Sequence, residues 1–266
     1  MLSLELETVD LNVVDRVAWL TLNRPEALNA WTRRLGSDLH AALDGAAEDP
    51  EVRAVVVTGA GRAFSSGADL KGGVELTEEG KPYVLGALRE VYNPLLLRTR
   101  TFPKPVIAAV NGAAVGIGCS LALACDLIVA AESAYFLLAF VNIGLALDGG
   151  ASATLARRVG HARAAEIALL GERIGAAKAL DWGLVNRVVP DGDLAATAGE
   201  LAARLADGPP GAHATIKRTL NETMYADFAD ALENEAVLQQ ERAESADFME
   251  GVAAFLQKRP AEFTGS

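Results

Sequence analysis

Short apolar runs rich in β-branched residues dominate the first two thirds of the chain, and helical periodicity takes over after them. Residues 4–14 and 17–22 alternate or run apolar, which predicts two strands joined by the polar turn Asp15-Arg16. Asn23-Arg24-Pro25 stops the second strand, and across 31–47 the residues Leu35, Leu39, Leu43 and Ala46 recur at helical spacing. Residues 54–58 are too few and too β-branched for a helix and read as a buried strand, followed by a glycine- and serine-containing loop over 59–67. A helix over 83–100, interrupted near Pro94, precedes a buried strand at 105–110 that ends at Asn111-Gly112. A short helix at 118–125 and a strand at 127–130 come next, then helices at 149–159, 164–170 and 176–180 and a strand at 184–189. From Leu194 onward the pattern is helical, with breaks at Gly208-Pro209-Pro210 and near Asn221. Strands alternating with helices, then helices alone, predict an α/β core followed by a C-terminal helical region.

Composition narrows the function classes. The chain has 266 residues, 51% hydrophobic and 22% charged, with a formal net charge of −11. That balance suits a globular protein and argues against a broad nucleic-acid face. A few local cations and helix N-termini still suffice for an anionic ligand. No run reaches the ~20 apolar residues of a membrane helix, and residues 1–10 lack the layout of a signal peptide, so a cytoplasmic protein is expected. Cys119 and Cys125 have neither disulfide-motif nor zinc spacing and read as small buried hydrophobes; His40, His161 and His213 are scattered, and no metal site is expected.

Two segments share one construction: buried strand, glycine-containing turn, helical start. The first runs from Ala54 through Phe64-Ser65-Ser66-Gly67-Ala68-Asp69-Leu70, the second from Val106 through Asn111-Gly112-Ala113-Ala114-Val115-Gly116-Ile117-Gly118. Glycine lets the backbone take positive φ and approach a ligand. Main-chain N–H groups at a helix start lack internal partners and carry partial positive charge. Two of them converging on one oxygen make an oxyanion hole. Each loop alone is commonplace.

Together these phrases, with Pro103-Lys104-Pro105 ahead of the second, resemble the two signature stretches of the enoyl-CoA hydratase/isomerase (crotonase) family. Leu22-Asn23-Arg24-Pro25, Asn29-Ala30, Ala124-Cys125-Asp126-Leu127, Ile143-Gly144-Leu145 and 179–185 follow in the family's order, and the match extends to Phe255 and Lys258. The resemblance implies an α/β spiral of ββα units over 1–190 carrying an acyl-CoA site. It also implies a C-terminal helical region over 191–266 that builds homotrimers or hexamers. No separate cofactor is implied, because coenzyme A is part of the thioester substrate. The implied oxyanion donors are the N–H groups of Ala68 and Ile117, the latter commonly glycine in relatives. Ser66, Ala68, Asp69 and Leu70 fall in the implied adenine-binding segment, with Arg24 and Lys258 near the CoA phosphates, although a solvated surface charge reads nearly as well for those two.

The two glutamates that activate water in the family's hydratases are replaced by Ser120 and Phe140. Neither side chain serves as a base at neutral pH. Asp148, in Leu145-Ala146-Leu147-Asp148-Gly149-Gly150, stands where family isomerases keep the aspartate that moves a proton between two carbons. Apolar neighbours such as Leu145, Leu147 and Phe140 are expected to raise its pKa by desolvation, with Ser120, Leu138 and Phe140 lining an acyl pocket. An ordinary N-cap is the competing reading of Asp148; Asp69 and Asp126 read as structural, and Ser66 and Ser120 as hydrogen-bonded rather than nucleophilic. Aryl-CoA dehalogenases of the family also keep this aspartate, but here Asn93 and Phe140 stand in for their histidine and tryptophan. The pattern is closest to bacterial isomerases of the phenylacetyl-CoA ring-opening type. An enoyl-CoA isomerase is the leading expectation, a divergent hydratase of 2-enoyl-CoA the second, and a non-catalytic CoA-binding scaffold the alternative of another class.

Overall fold

The computed structural model describes residues 5–266. It opens with the antiparallel pair β1 (Val9–Val14) and β2 (Val17–Leu22), then α1 (Arg33–Glu48), β3 (Ala54–Gly59) and β4 (Ala63–Ser65). A helical arm follows: α2 (Leu85–Ala87), a π turn at Leu88–Tyr92 and α3 (Asn93–Thr101). Next come β5 (Val106–Val110), β6 (Ala113–Val115) and α4 (Ile117–Ala124). They are followed by β7 (Leu127–Ala131), β8 (Tyr135–Leu137), α5 (Ala151–Leu170), β9 (Ile174–Gly175), α6 (Ala176–Asp181) and β10 (Arg187–Val189). The chain closes on α7 (Leu194–Asp207), α8 (Pro210–Met224), α9 (Phe228–Ala243) and α10 (Ala246–Gln257).

Three successive units, β3-β4-helix, β5-β6-α4 and β7-β8-α5, each send one strand into a six-stranded sheet of order β1-β2-β3-β5-β7-β10 and one into a four-stranded sheet of order β4-β6-β8-β9. This is the expected α/β spiral of ββα turns. Both sheets are mixed: β1 and β9 run antiparallel to their neighbours and the other pairings are parallel. Central β3 and β5 are covered on both faces, which explains why they read as unbroken apolar runs rather than alternating ones. Helix α1 begins where Thr32 Oγ accepts from the Leu35 N–H at 3.1 Å, and its Leu35, Leu39, Leu43 and Ala46 stripe is buried.

The small sheet places the site. Because β4 and β6 are parallel neighbours, both end on the same edge of the sheet. The two glycine turns that follow them are therefore side by side.

Several boundaries differ from expectation. The first strand begins at Val9, and Leu4 lies outside the described residues. The strand expected over 184–189 is confined to Arg187–Val189, because the N–H groups of Leu184 and Val185 turn back onto the Ala179 carbonyl. The two helices expected between 149 and 170 are assigned as one element, Ala151–Leu170, broken inside at Gly160 (φ 75°, ψ 165°). The break expected near Asn221 comes after Met224, and Asn221 instead donates to the Arg100 carbonyl at 2.8 Å. In the 83–100 arm the irregularity is the π turn just before Pro94, which sits in the first turn of α3 where its missing N–H costs nothing.

Candidate active site

Gly67 and Gly116 take φ of +88° and +52°, so each turn depends on a residue without a Cβ. The turns abut: a Cβ on Gly67 would lie 3.1 Å from the Val115 carbonyl oxygen, and one on Gly116 would lie 3.8 Å from the Gly67 Cα. Around Ala68 the backbone is tied to Trp31, whose N–H donates to the Gly67 carbonyl (2.8 Å) and whose carbonyl accepts from the Asp69 N–H (3.0 Å). The Ala68 N–H itself has no acceptor among the described residues. The same holds for the Ile117 N–H at the start of α4. Both sequence-expected donors are thus unspent.

Asp148 closes the other side. Its Oδ2 accepts from Gln239 Nε2 at 3.2 Å, while Oδ1 is buried with no partner. Burial, with the Glu235 carboxylate adding to it, pushes Asp148 up to about 7 against the downward pull of the Gln239 hydrogen bond. The N-cap reading fails on geometry: Gly150 occupies the cap position of α5, and the carboxylate that receives its N-terminal N–H groups is Glu235, at 2.6 Å from Gly150 N and 2.7 Å from Ser152 N. Ser120 Oγ donates to the Asp148 carbonyl at 2.9 Å and fixes the main chain of that turn. A Cβ on Gly149 would come within 2.7 Å of both Ile117 Cδ1 and Ser120 Cβ, so the turn lies tight against the start of α4.

Between the Ala68 turn and Asp148 opens a cavity of about 490 Å³, lined by Ala68, Asp69, Leu70, Asp148 and Gln239 among polar and loop residues, and by an apolar set that includes Trp31, Tyr92, Leu145 and Phe248; Ile117 is buried just outside this lining. Trp31 and Tyr92 meet edge to face at 5.2 Å. Burial pushes the Tyr92 hydroxyl up to about 12, so it stays neutral at physiological pH. At the mouth, Arg33 bridges Glu75 and Glu90.

The expected residues divide. Ala68, Asp69, Leu70 and Asp148 line the cavity. Leu138 and Phe140 lie in the core behind the wall, Phe140 packed over the Gly116 turn, and the apolar lining comes instead from Trp31 just before α1, the helical arm, the loops carrying Leu70 and Leu145, and Phe248 of α10. Ser120 is likewise enclosed, its hydroxyl engaged as described. Ser66 donates its N–H to the Leu28 carbonyl (3.0 Å) and its hydroxyl to the Ala27 carbonyl (3.4 Å), away from the cavity. Arg24 spends its guanidinium on the Ala30 carbonyl (2.6 Å) and on Asp69 (3.0 Å), pinning the loop rather than standing free. Lys258 is the exposed left-handed cap of α10, off the cavity lining.

Sequence reading missed Gln239, Glu235, Trp31, Tyr92 and Phe248. Gln239 and Phe248 belong to helices expected only to build oligomers. A signal was present: Phe228, Leu232, Ala236 and Ala243 form a helical stripe, and Glu235 and Gln239 interrupt it four residues apart. Polar groups on a buried stripe need a buried partner.

A second cleft of about 530 Å³ lies between the end of α3 and α8. The buried cation on its wall, Lys217, is consumed by Asp126 (2.7 Å) and by the carbonyls of Thr99 and Lys104, and Asp126 also holds Arg100. Among the described residues no cluster of three or more His, Cys, Asp or Glu could hold a metal, and no helix is long and apolar enough to cross a membrane. Cys119 and Cys125 are buried and free.

A family model described as enoyl-CoA hydratase/isomerase matches residues 13–266. A probable enoyl-CoA hydratase of Rhodobacter capsulatus is 46% identical over 258 residues, covering 97% of this chain and 98% of the relative. The 1,2-epoxyphenylacetyl-CoA isomerase of Escherichia coli is 41% identical over 261 residues, with 98% and 99% covered. The crystal structure of an enoyl-CoA hydratase from Mycobacterium avium subsp. paratuberculosis superposes with a TM-score of 0.87 at 40% identity, covering 97% of this chain and 99% of that one.

Proposed function

Because the chain belongs to the enoyl-CoA hydratase/isomerase family, whose members act on acyl-CoA, we propose that it shifts the double bond of an enoyl-CoA, with Asp148 moving the proton. The observation that carries this reading is a carboxylate on the cavity wall, Asp148, one of whose oxygens, Oδ1, is buried without a partner. A 1,3-shift needs one base. Asp148 takes a proton from the carbon next to a 3-enoyl thioester carbonyl and returns it two carbons away. The dienolate oxygen formed between these steps rests on the N–H groups of Ala68 and Ile117. Water addition needs a second group to activate water. The other carboxylates on the lining, Asp69 and Glu75, are paired with Arg24 and Arg33, and Glu235 is turned onto the start of α5. Two relatives named as isomerases, of 1,2-epoxyphenylacetyl-CoA and of trans-2-decenoyl-acyl-carrier-protein, support the same reading; hydratases at similar identity keep water addition as the second one.

Incubation with 3-hexenoyl-CoA and crotonyl-CoA, with mass spectrometry for water gain and chromatography for isomers, tests both. The expected result is isomerisation of the first, little hydration of the second, and a loss of about 10³-fold or more in kcat for Asp148→Asn. Full turnover by that variant removes Asp148 as the base, and acyl-CoA binding with no turnover of either compound supports a scaffold instead. Assembly into trimers or hexamers belongs to the same proposal, supported by the exposed stripe Ile216, Leu220 and Met224 on α8. Light scattering of the purified chain reads it directly.

A further inference from the structure

Gln239 bridges two groups at once. Its Oε1 accepts from the Ala146 N–H at 2.9 Å, and its Nε2 donates to Asp148 Oδ2 at 3.2 Å. A main-chain N–H offers only a proton, so Ala146 dictates which end of the amide faces it, and the NH2 end is left for Asp148. That bond requires Oδ2 to be an acceptor, which leaves Oδ1 as the oxygen free to take a proton. From the same face of α9, one turn earlier, Glu235 holds the N–H groups of Gly150 and Ser152 just beyond Asp148. Ser120 holds the Asp148 carbonyl from α4.

We infer that Gln239 is a positioning residue for the proton shift, which locks the Asp148 carboxylate by its Oδ2 and assigns both proton uptake and proton return to Oδ1. The inference rests on the reading of Asp148 as the acid/base. The step balances on itself. A carbon–hydrogen bond breaks as the Oδ1–H bond forms, that bond then breaks as hydrogen joins the second carbon, and Gln239 ends unchanged. Its contribution is geometric: one oxygen held still must reach two carbons in turn, and a carboxylate free to rotate spends most of its time aimed elsewhere.

The titratable groups nearest Asp148 are Glu235 from α9 and Tyr92 from the π turn; Asp69, Arg33 and Glu75 stand farther along the lining. Gln239 and Glu235 act on the carboxylate with opposite signs, the amide favouring its charged form and the neighbouring carboxylate opposing it.

The test is the rate of 3-hexenoyl-CoA isomerisation across pH for Gln239→Leu, Gln239→Glu and Glu235→Gln, with Asp148→Asn in the same assay. Gln239→Leu is expected to lower kcat by about 10- to 100-fold with KM changed less than about threefold, and to move the midpoint of the kcat profile to higher pH. Glu235→Gln is expected to move that midpoint to lower pH. Gln239→Glu keeps the size and the acceptor for Ala146 but puts a like charge against Asp148. It decides the matter if the leucine variant does not fold, and a still higher midpoint is expected. Unchanged kcat and midpoint in the folded Gln239 variants, with Asp148→Asn inactive, overturn the positioning role and leave the base in place. An active Asp148→Asn overturns the underlying reading instead.

Discussion

The two halves of the proposed site are built from different materials. On one side, Ala68 and Ile117 present main-chain N–H groups whose placement depends on two turns and very little on side chains. On the other, Asp148, Gln239 and Glu235 are side chains whose meaning depends on what lies beside them. The main-chain half is insured against substitution, since any residue but proline at position 68 or 117 keeps its N–H. The side-chain half is not, since one changed group alters both the aim and the ionisation of the carboxylate.

The sharpest way to break this contrast is to damage the main-chain half without touching a functional side chain. Gly67→Ala forces a Cβ onto a residue at φ +88° and to within 3.1 Å of the Val115 carbonyl oxygen, and the backbone must rotate to relieve it. Displacing one oxyanion donor costs about 10²- to 10³-fold in kcat, and that loss is expected with Asp148 intact. Gly175→Ala, where a Cβ meets nothing within 4 Å, is the control and should run at the parent rate. Steady-state kinetics on both decides. A fully active Gly67→Ala would mean the Ala68 amide is not used.

The same contrast explains how much the sequence made legible. The two abutting turns could be read because a buried strand, a glycine and a helix start are a local pattern within about ten residues, and the large sheet followed from its unbroken apolar strands. The small sheet was invisible: Ala63–Ser65, Ala113–Val115 and Ile174–Gly175 are too short to show any period. The upward push of burial on Asp148 was legible from its apolar neighbours, but its two polar companions were not, because Gln239 meets it across 91 positions and Glu235 reaches Gly150 across 85. The acyl pocket failed for a related reason. Leu138 and Phe140 are apolar enough to line one, yet the folded chain buries them in the core and gives the lining to Trp31, Tyr92 and Phe248 from three distant elements.

A second prediction concerns the side-chain half and is read as stability. The folded pKa of Asp148, about 7, lies above the ordinary carboxylate value of 3.8. Below the ordinary value the group is protonated in both states and its favourable contribution is fully present; as pH rises through the folded value, that contribution is lost. The ionised side chain therefore opposes folding at pH 8. Full linkage is worth about 4 kcal/mol at most. Asp148→Asn should thus gain stability relative to the parent as pH rises from 4 to 8, the gain appearing between the two pKa values. The parent's kcat should fall below about pH 7 as the base is protonated. Thermal unfolding at several pH values checks the first, and a flat difference between the two proteins would mean that Asp148 ionises as easily folded as unfolded.

The smallest effect is expected at the cavity mouth, where polar groups are as numerous as in the site but wet. Arg33 reaches Glu75 at 2.5 Å and Glu90 at 2.8 Å, joining α1, the loop after Ala68 and the π turn, yet its side chain keeps 35% exposure and its partners 50% and 67%. Solvent and salt screen such pairs, and each is worth less than about 1 kcal/mol. Arg33→Gln should leave kcat unchanged, shift the unfolding temperature by no more than a few degrees, and lose even that difference in 0.5 M salt on the order of the screening expected. Gln239 makes its two hydrogen bonds at longer distances than these and is expected to matter far more, because it and Asp148 are buried while Arg33 and its partners stand in solvent. If Arg33→Gln lowers kcat as much as Gln239→Leu does, burial is not what separates the two, and the loop that Arg33 holds must itself take part in placing the substrate.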